Sequence, residues 1–243
     1  MTAPGISVVI PAYNEEKLLP ATIASIQKAM QNYTETLGQQ AEIIVVNNSS
    51  TDQTAQIAHD MGAVVLNHPI RNIASVRNAG IKLAQYDLVV TMDADSLMPD
   101  DTLVQIWQRM QDPSYIGAGL GVEFVTEKLS LKILAFFIQA AVYYTSRIQG
   151  GMLCFRKKEA LAIGGFPEDR LFAEDLAFGV AMRKHAKQLG KKFSCFKDIR
   201  IKSLDRKEVS IKDLWNVVYC EIKMLFGYKP SAEDFKYWYK PER

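Results

Sequence analysis

The stretch "YDLVVTMDAD" (Tyr86–Asp95) is an apolar run that ends in two carboxylates, Asp93 and Asp95, one residue apart. A run rich in Val and Leu, bounded by polar residues, reads as a strand covered on both faces, the habit of parallel sheets. Carboxylates repel each other and are costly to desolvate. A positive group is therefore expected beside them, or an edge open to water. If the strand runs through Asp95, both acids face the same way, because side chains i and i+2 share a face. If it stops at Asp93, a turn frees each acid for a separate role.

The chain before this point alternates strand and helix. "ISVVIPA" (Ile6–Ala12), "AEIIVVNN" (Ala41–Asn48) and "AVVLNH" (Ala63–His68) read as strands. Between them, "LPATIASIQKAM" (Leu19–Met30) has helical spacing, and "STDQTAQIAHDMG" (Ser50–Gly62) has capping residues at its start and glycine at its end. "IASVRNAGIKLAQ" (Ile73–Gln85) is a third helix. This alternation predicts βαβ units and an α/β fold with a mostly parallel central sheet flanked by helices. Ligands of such sheets bind beyond the carboxyl ends of the strands. The strand ends "PAYNEE", "NNSSTD", "NHPIRN" and "DADS" should converge there. "PAYNEEKLLP" has no GxGxxG, so a dinucleotide-binding reading is disfavoured.

Beyond Met98 the pattern changes. Helices are predicted over Asp100–Gln111, Leu131–Ser146, Lys158–Phe166, Ala173–Gly190 and Ile211–Gly227, with strand-like runs at Tyr115–Val125 and Gly150–Lys157. No linker or repeat interrupts the chain. One domain is expected, with a first half (residues 1–98), a second half (99–200) and a helical extension (201–243).

Composition narrows the function. Hydrophobic residues make up 48% and charged residues 23%, enough to fill a core. The net charge of +2, from 29 basic and 27 acidic residues, offers no electrostatic footprint for nucleic acid. The three cysteines match neither a zinc spacing nor a disulfide framework. With no signal-peptide pattern at the N-terminus, a cytoplasmic protein is expected. Leu131–Tyr144 contains Lys132 and Gln139 and falls short of the ~20 apolar residues of a spanning helix. That segment and the Trp-, Tyr- and Lys-rich C-terminus suit peripheral membrane contact on the cytoplasmic face, or packing on the core or a second copy in a homodimer.

An isolated DxD fits a solvated turn as well as a ligand site. Here "VVIPAYNEE", "VVNNSSTDQT", "RNAG", "DADSLMP", "GGMLCFRK", "GGF" and "AEDLAF" occur in order, and together they resemble glycosyltransferase family 2, of GT-A (Rossmann-like) fold. The resemblance implies an inverting glycosyltransferase that takes its sugar from a nucleoside diphosphate. It implies that Pro11, Ala12, Tyr13, Glu15 and Asn48 hold base and ribose, and that Arg71, Arg77 and Asn78 approach the nucleotide or pyrophosphate. Asp93 and Ala94 would lie near the ribose or sugar. Asp95 would ligate Mn2+ or Mg2+ bridging the diphosphate. Gly150 and Gly151 would let the backbone approach the sugar or acceptor. Asp175 would be the base, with Glu174 positioning it or the acceptor, a saccharide or lipid-linked hydroxyl.

The chemistry asks for the same inventory. A diphosphate leaving group needs a Lewis acid, and an attacking hydroxyl needs a base on the opposite face of the sugar. One departure stands out. Where the family commonly has "VVDDGSTD", this chain has "VVNNSSTD". An amide both donates and accepts, so Asn48 matches a uracil edge, N3–H to its oxygen and O4 to its nitrogen. UDP is the expected donor nucleotide. A nucleotidyltransferase of similar layering would want a glycine- and basic-rich loop after the first strand. A non-catalytic nucleotide-sugar-binding protein would not need both Asp95 and Asp175. His59 and His185 read as surface groups.

Overall fold

A computed structural model describes residues 4–125, 151–170 and 173–204 of the 243-residue chain. Strand β1 (Gly5–Ala12) leads into helix α1 (Leu19–Leu37). Then come β2 (Gln40–Asn47), α2 (Thr54–Asp60), β3 (Val64–Asn67), α3 (Ile73–Leu83) and β4 (Leu88–Thr91). The second half holds β5 (Ser96–Leu97), α4 (Thr102–Met110), β6 (Tyr115–Val125), β7 (Leu153–Arg156), α5 (Lys157–Ala162), α6 (Glu174–Gln188) and β8 (Lys192–Leu204). Among the described residues these strands form one sheet in the order β3-β2-β1-β4-β7-β6-β8-β5.

The predicted α/β layering is present, and the sheet is mixed. The pairs β1–β2, β1–β4, β2–β3 and β6–β8 are parallel, whereas β4–β7, β6–β7 and β5–β8 are antiparallel. Strand polarity thus reverses where the two halves of the chain meet, at β4 and β7. Side chains alternate between two cores, one on each face of the sheet. Ile6, Val8 and Ile10 of β1 pack with Ile23 and Ile26 of α1 and Leu103 and Ile106 of α4. Val9 of β1 and Ile44 and Val46 of β2 pack on the other face with Val76 and Ile81 of α3 and Phe178 and Met182 of α6.

Several boundaries differ from the sequence reading. Helix α1 runs beyond Met30 to Leu37 because Tyr33 is buried at 0% exposure, and Gly38 closes it at φ 65 with its N–H on Thr34 O (2.8 Å). Helix α2 begins at Thr54 rather than Ser50, since residues 50–53 bond to the loop after β1. Strand β4 stops at Thr91, so Asp93 and Asp95 lie beyond it, Asp93 in irregular backbone and Asp95 in the turn that follows. Strands β5 and β8 were not expected. The helices predicted over Leu131–Ser146 and Ile211–Gly227, and Gly150, fall outside the described residues. Among the described residues no helix is long and apolar enough to cross a membrane.

Helix α3 lies unusually close to the sheet. A Cβ placed on Gly80 would meet Val9 Cγ1 at 2.3 Å and Val46 Cγ2 at 2.9 Å. Glycine in a helix interior normally costs about 0.5–1 kcal/mol relative to alanine. Here the contact outweighs that preference, since overpacking costs about 1–3 kcal/mol. Gly80→Ala is therefore expected to destabilise the fold by about 1 kcal/mol in urea unfolding, within the roughly 0–2.5 kcal/mol difference of those two effects. A variant more stable than the parent would show that α3 does not pack this closely.

Candidate active site

Helix α3 starts on a good cap. The Asn72 side chain accepts the Ser75 N–H (3.0 Å), and its Nδ2 donates to Glu168 O (2.8 Å). The helix then presents Arg77 and Asn78, both buried, to the second half of the chain. Arg77 answers the question raised by the paired carboxylates. Its Nη2 donates to Asp93 Oδ1 at 2.7 Å, and its Nη1 donates to Glu174 Oε1. The Arg77 side chain is 3% exposed, Glu174 9% and Asp93 39%, so the guanidinium and Glu174 are interior while Asp93 faces the edge.

Burial alone would lower the Arg77 guanidinium. The carboxylates of Glu174, Asp93 and Asp175 outweigh it and hold the group above its ordinary value. Burial pushes the Glu174 carboxyl up, against the pull of Arg77. Arg77 also sits over the Phe166 ring, with Cζ 5.4 Å from the centroid. Phe166 stacks on Phe178 at 4.1 Å and 9°. This aromatic floor adds a cation–π contact of roughly 0.5–2 kcal/mol.

Asn78 makes the second tie. Its Nδ2 donates to Phe166 O (2.9 Å) and to Glu168 Oε1 (2.9 Å), and its Oδ1 accepts the Phe166 N–H (2.7 Å). The "GGF" motif has its explanation here. Gly165 has φ 81, and a Cβ on it would stand 2.3 Å from Asn78 Oδ1. Any side chain there would be strained and would break the clamp.

Asp175 is the other acid of the "AED" motif. Its Oδ2 accepts the Gly151 N–H (2.7 Å) and its Oδ1 accepts the Leu176 N–H (2.8 Å). Gly151 has φ 96, a backbone setting that favours glycine. Asp175 lies in the first turn of helix α6, where a carboxylate is favoured by the helix dipole. The residue before the pair, Ala173, has φ 54, which is strained for a side-chain-bearing residue.

The remaining strand ends line the same edge. Pro11 is half-buried and Ala12 buried. Tyr13 receives a hydrogen bond on its hydroxyl from Arg71 Nη2 (2.8 Å), and the Arg71 Cζ lies 4.5 Å from the ring centroid. Glu15 is buried, and its N–H donates to Thr54 Oγ1 (2.7 Å). The loops after β1 and β2 are latched both ways, because Asn14 N donates to Ser50 Oγ (3.0 Å) and Thr51 N donates to Asn14 Oδ1 (2.8 Å). Asn48 Nδ2 donates to His68 O (3.0 Å) and Ile70 O (2.7 Å). Both amide hydrogens are spent there, so the nitrogen has none for a uracil O4.

Ala94 is buried, and its carbonyl accepts from Thr22 Oγ1 (2.7 Å). Asp95 is half-buried at the edge, with its carbonyl accepting the Leu204 N–H (2.9 Å) and Ser96 Oγ 3.5 Å from its Oδ1. Among the described residues no three His, Cys, Asp or Glu side chains gather as a metal cluster. One hard carboxylate suits Mg2+ or Mn2+ where substrate phosphates complete the shell. His185 is not a simple surface group, for its Nε2 lies 2.8 Å from Glu159 Oε2, joining α6 to α5.

The arrangement can be set beside known proteins. The model of "Glycosyl transferase family 2" matches residues 7–161. Over 192 residues the chain is 28% identical to a poly-beta-1,6-N-acetyl-D-glucosamine synthase from Staphylococcus epidermidis, which covers 71% of this chain and 44% of that protein. The chain thus spans less than half the length of that curated relative. A mannosyltransferase from Pyrobaculum calidifontis, solved with GDP-Man and Mn2+, superposes with a TM-score of 0.66 at 21% identity, covering 88% of this chain and 60% of the other. TarS from S. aureus with UDP-GlcNAc gives a TM-score of 0.63 at 19% identity, covering 90% and 66%. At these identities the two structures establish the fold, of GT-A type. The match over most of the chain, on the fold just described, makes it a member of glycosyl transferase family 2.

Proposed function

We propose that the chain transfers a glycosyl group from a nucleoside diphosphate sugar to an acceptor hydroxyl, with inversion, and that Asp175 is the base. The supporting observation is the Arg77 bridge. It links the acid turn after β4 to the first residue of α6, so that Asp93, Asp95 and the Glu174–Asp175 pair belong to one edge of the sheet. In this reading the acceptor O–H gives its proton to Asp175 as its oxygen bonds to the anomeric carbon. The bond from that carbon to the diphosphate breaks on the opposite face, and the diphosphate leaves with the electron pair. A divalent ion held by Asp95 and the diphosphate oxygens would supply charge neutralisation to the leaving group.

The residues divide the work. The Gly151 N–H fixes the orientation of Asp175 and leaves its carboxylate capacity to accept a proton. Glu174, paired with Arg77, anchors the start of α6 rather than meeting substrate. Asp93, paired with Arg77 yet 39% exposed, would contact sugar or ribose in this reading. Arg77 and Asn78 act from the interior as positioning residues, which leaves Arg71 as the more exposed of the arginines for the nucleotide. UDP is the first donor nucleotide to test and GDP the second, because the similar structures hold UDP-GlcNAc and GDP-Man.

Asp175→Asn can keep the Gly151 contact but cannot take a proton at neutral pH. Transfer is expected to fall by about 10²–10⁴-fold, with donor binding by calorimetry nearly unchanged. Parallel loss of binding and turnover would remove Asp175 from the base role. Asp95→Ala is expected to abolish the strengthening of UDP binding by Mn2+. An unaltered metal dependence would rule out Asp95 as the ligand.

A further inference from the structure

Helix α1 carries a hydroxyl where its pattern asks for an apolar side chain. Thr22 is 0% exposed and shares the buried face of the helix with Leu19, Ile23 and Ile26. A helical threonine commonly turns its Oγ1 onto a carbonyl of its own preceding turn. Thr22 instead donates across to Ala94 O (2.7 Å), 72 residues on. One turn later Ser25 donates to Thr22 O (2.7 Å), and the same Oγ accepts the Met98 N–H (3.0 Å). Two hydroxyls of α1 thus hold the segment around Asp95 from both sides, at residues 94 and 98. None of the site motifs lies on this helix.

What these bonds fix is the direction of one side chain. Asp95 is flanked by two planar peptide units, and their tilts are its φ and ψ. The carbonyl of the first, Ala94 O, lies on Thr22. The carbonyl of the second, Asp95 O, accepts the Leu204 N–H of β8 (2.9 Å). The segment has other restraints. Met92 N–H donates to Val9 O (3.0 Å), Arg77 holds Asp93, β5 pairs with Lys202 and Ser203 of β8, and Asn32 Nδ2 donates to Asp100 O (2.9 Å). Ser96 Oγ stands 3.5 Å from the Asp95 carboxylate, too long to fix it strongly. Those bonds act around the peptide that enters Asp95, whereas Thr22 acts on that peptide itself.

We propose that Thr22, braced by Ser25, is a positioning residue that aims the Asp95 carboxylate at the place where cation and diphosphate meet. This rests on the reading of Asp95 as the metal ligand given above. Leu19, Ile23 and Ile26 fix α1 in the core, and the Thr22 hydroxyl passes that rigidity to the turn. A ligating side chain must be held to within about 0.5 Å and 10–20° to work. Without the Thr22 donor the buried Ala94 carbonyl loses its partner, and the peptide is free to rotate toward another. That rotation swings the Asp95 Cα–Cβ bond off its aim. Ser25 secures the far end of the segment and, through Thr22 O, the helix turn that bears the hydroxyl. Neither side chain touches substrate in this account; both act through Asp95.

The test is calorimetry of the full chain with UDP and with GDP, each in Mn2+ and in EDTA. The quantity read is the factor by which Mn2+ strengthens the better-bound nucleotide. Thr22→Val keeps the shape and removes the donor. It should cut that factor about tenfold, the effect of one lost hydrogen bond, with affinity in EDTA nearly unchanged. Thr22→Ser restores the hydroxyl and should restore the factor. Ser25→Ala, at a half-buried position, should lower it in the same direction by less. Ile26→Val on the same helix should lower stability in urea without moving it. In an Asp95→Ala background Thr22→Val should leave nucleotide binding as it is, since the carboxylate it aims is gone. An unmoved factor in Thr22→Val, or in Ser25→Ala should the valine variant not fold, would overturn the positioning role. An equal fall in Ile26→Val, or no recovery in Thr22→Ser, would overturn it too. In each of these cases the reading of Asp95 stands if Asp95→Ala abolishes the factor. A parent with no Mn2+ effect, or an effect that survives Asp95→Ala, would overturn that reading and this inference with it.

Discussion

A guanidinium buried between two carboxylates is the constraint on which the rest of this molecule depends. Arg77 is taken out of water almost completely, and it would not stay there without Glu174 and Asp93. A buried ion pair adds little net stability compared with apolar residues of the same shape, because desolvation cancels most of the attraction. Breaking one side of it is another matter, at about 3–5 kcal/mol. The pair therefore acts as a locator. It sets α6 against α3 and the acid turn in one arrangement, and penalises others.

The neighbouring contacts make sense as support for that locator. The Phe155, Phe166 and Phe178 rings pack together beneath the guanidinium. Asn78 holds Phe166 by its backbone, which in turn demands glycine at 165. On the other side of the edge, hydrogen bonds between short loops do the same work: Asn14 with Ser50 and Thr51, Asn48 with His68 and Ile70. One side of the site is built on a buried charge and aromatic packing. The other is built on half-buried amides in short loops, and its geometry is easier to shift.

Much of this was legible from residue type and order. The apolar strands, the alternation with helices and the polar strand ends predicted the first half, because local patterning there agrees with the tertiary structure. Asp93, Asp95, Glu174 and Asp175 stood out as acids at element ends. What the sequence does not display is who partners whom. Arg77 and Glu174 are 97 residues apart, and Asn78 and Phe166 88. In one dimension Arg77 and Asn78 look like polar residues bound for a ligand, and in three they are interior ties. Asn48 illustrates the same limit at shorter range. Residue type alone allows its amide two hydrogen bonds to a base, but the nitrogen is spent on carbonyls 20 and 22 residues on. Strand β8 was missed because "KFSCFKDIRIKSL" has interrupted alternation. Its pairing with β6 carries a register irregularity between Leu120 and Gly121, which a strict period of two does not reveal.

A double-mutant cycle on Arg77 and Glu174, read by urea unfolding, tests the locating role most directly. Arg77→Met should cost about 3–5 kcal/mol, since it leaves a buried carboxylate without its cation. Adding Glu174→Gln to that variant should return part of the loss, giving a coupling of at least about 1–2 kcal/mol. A double variant whose loss equals the sum of the two single losses, within about 0.3–0.5 kcal/mol, would mean that the two side chains do not hold each other, and the central tie between the halves would be gone.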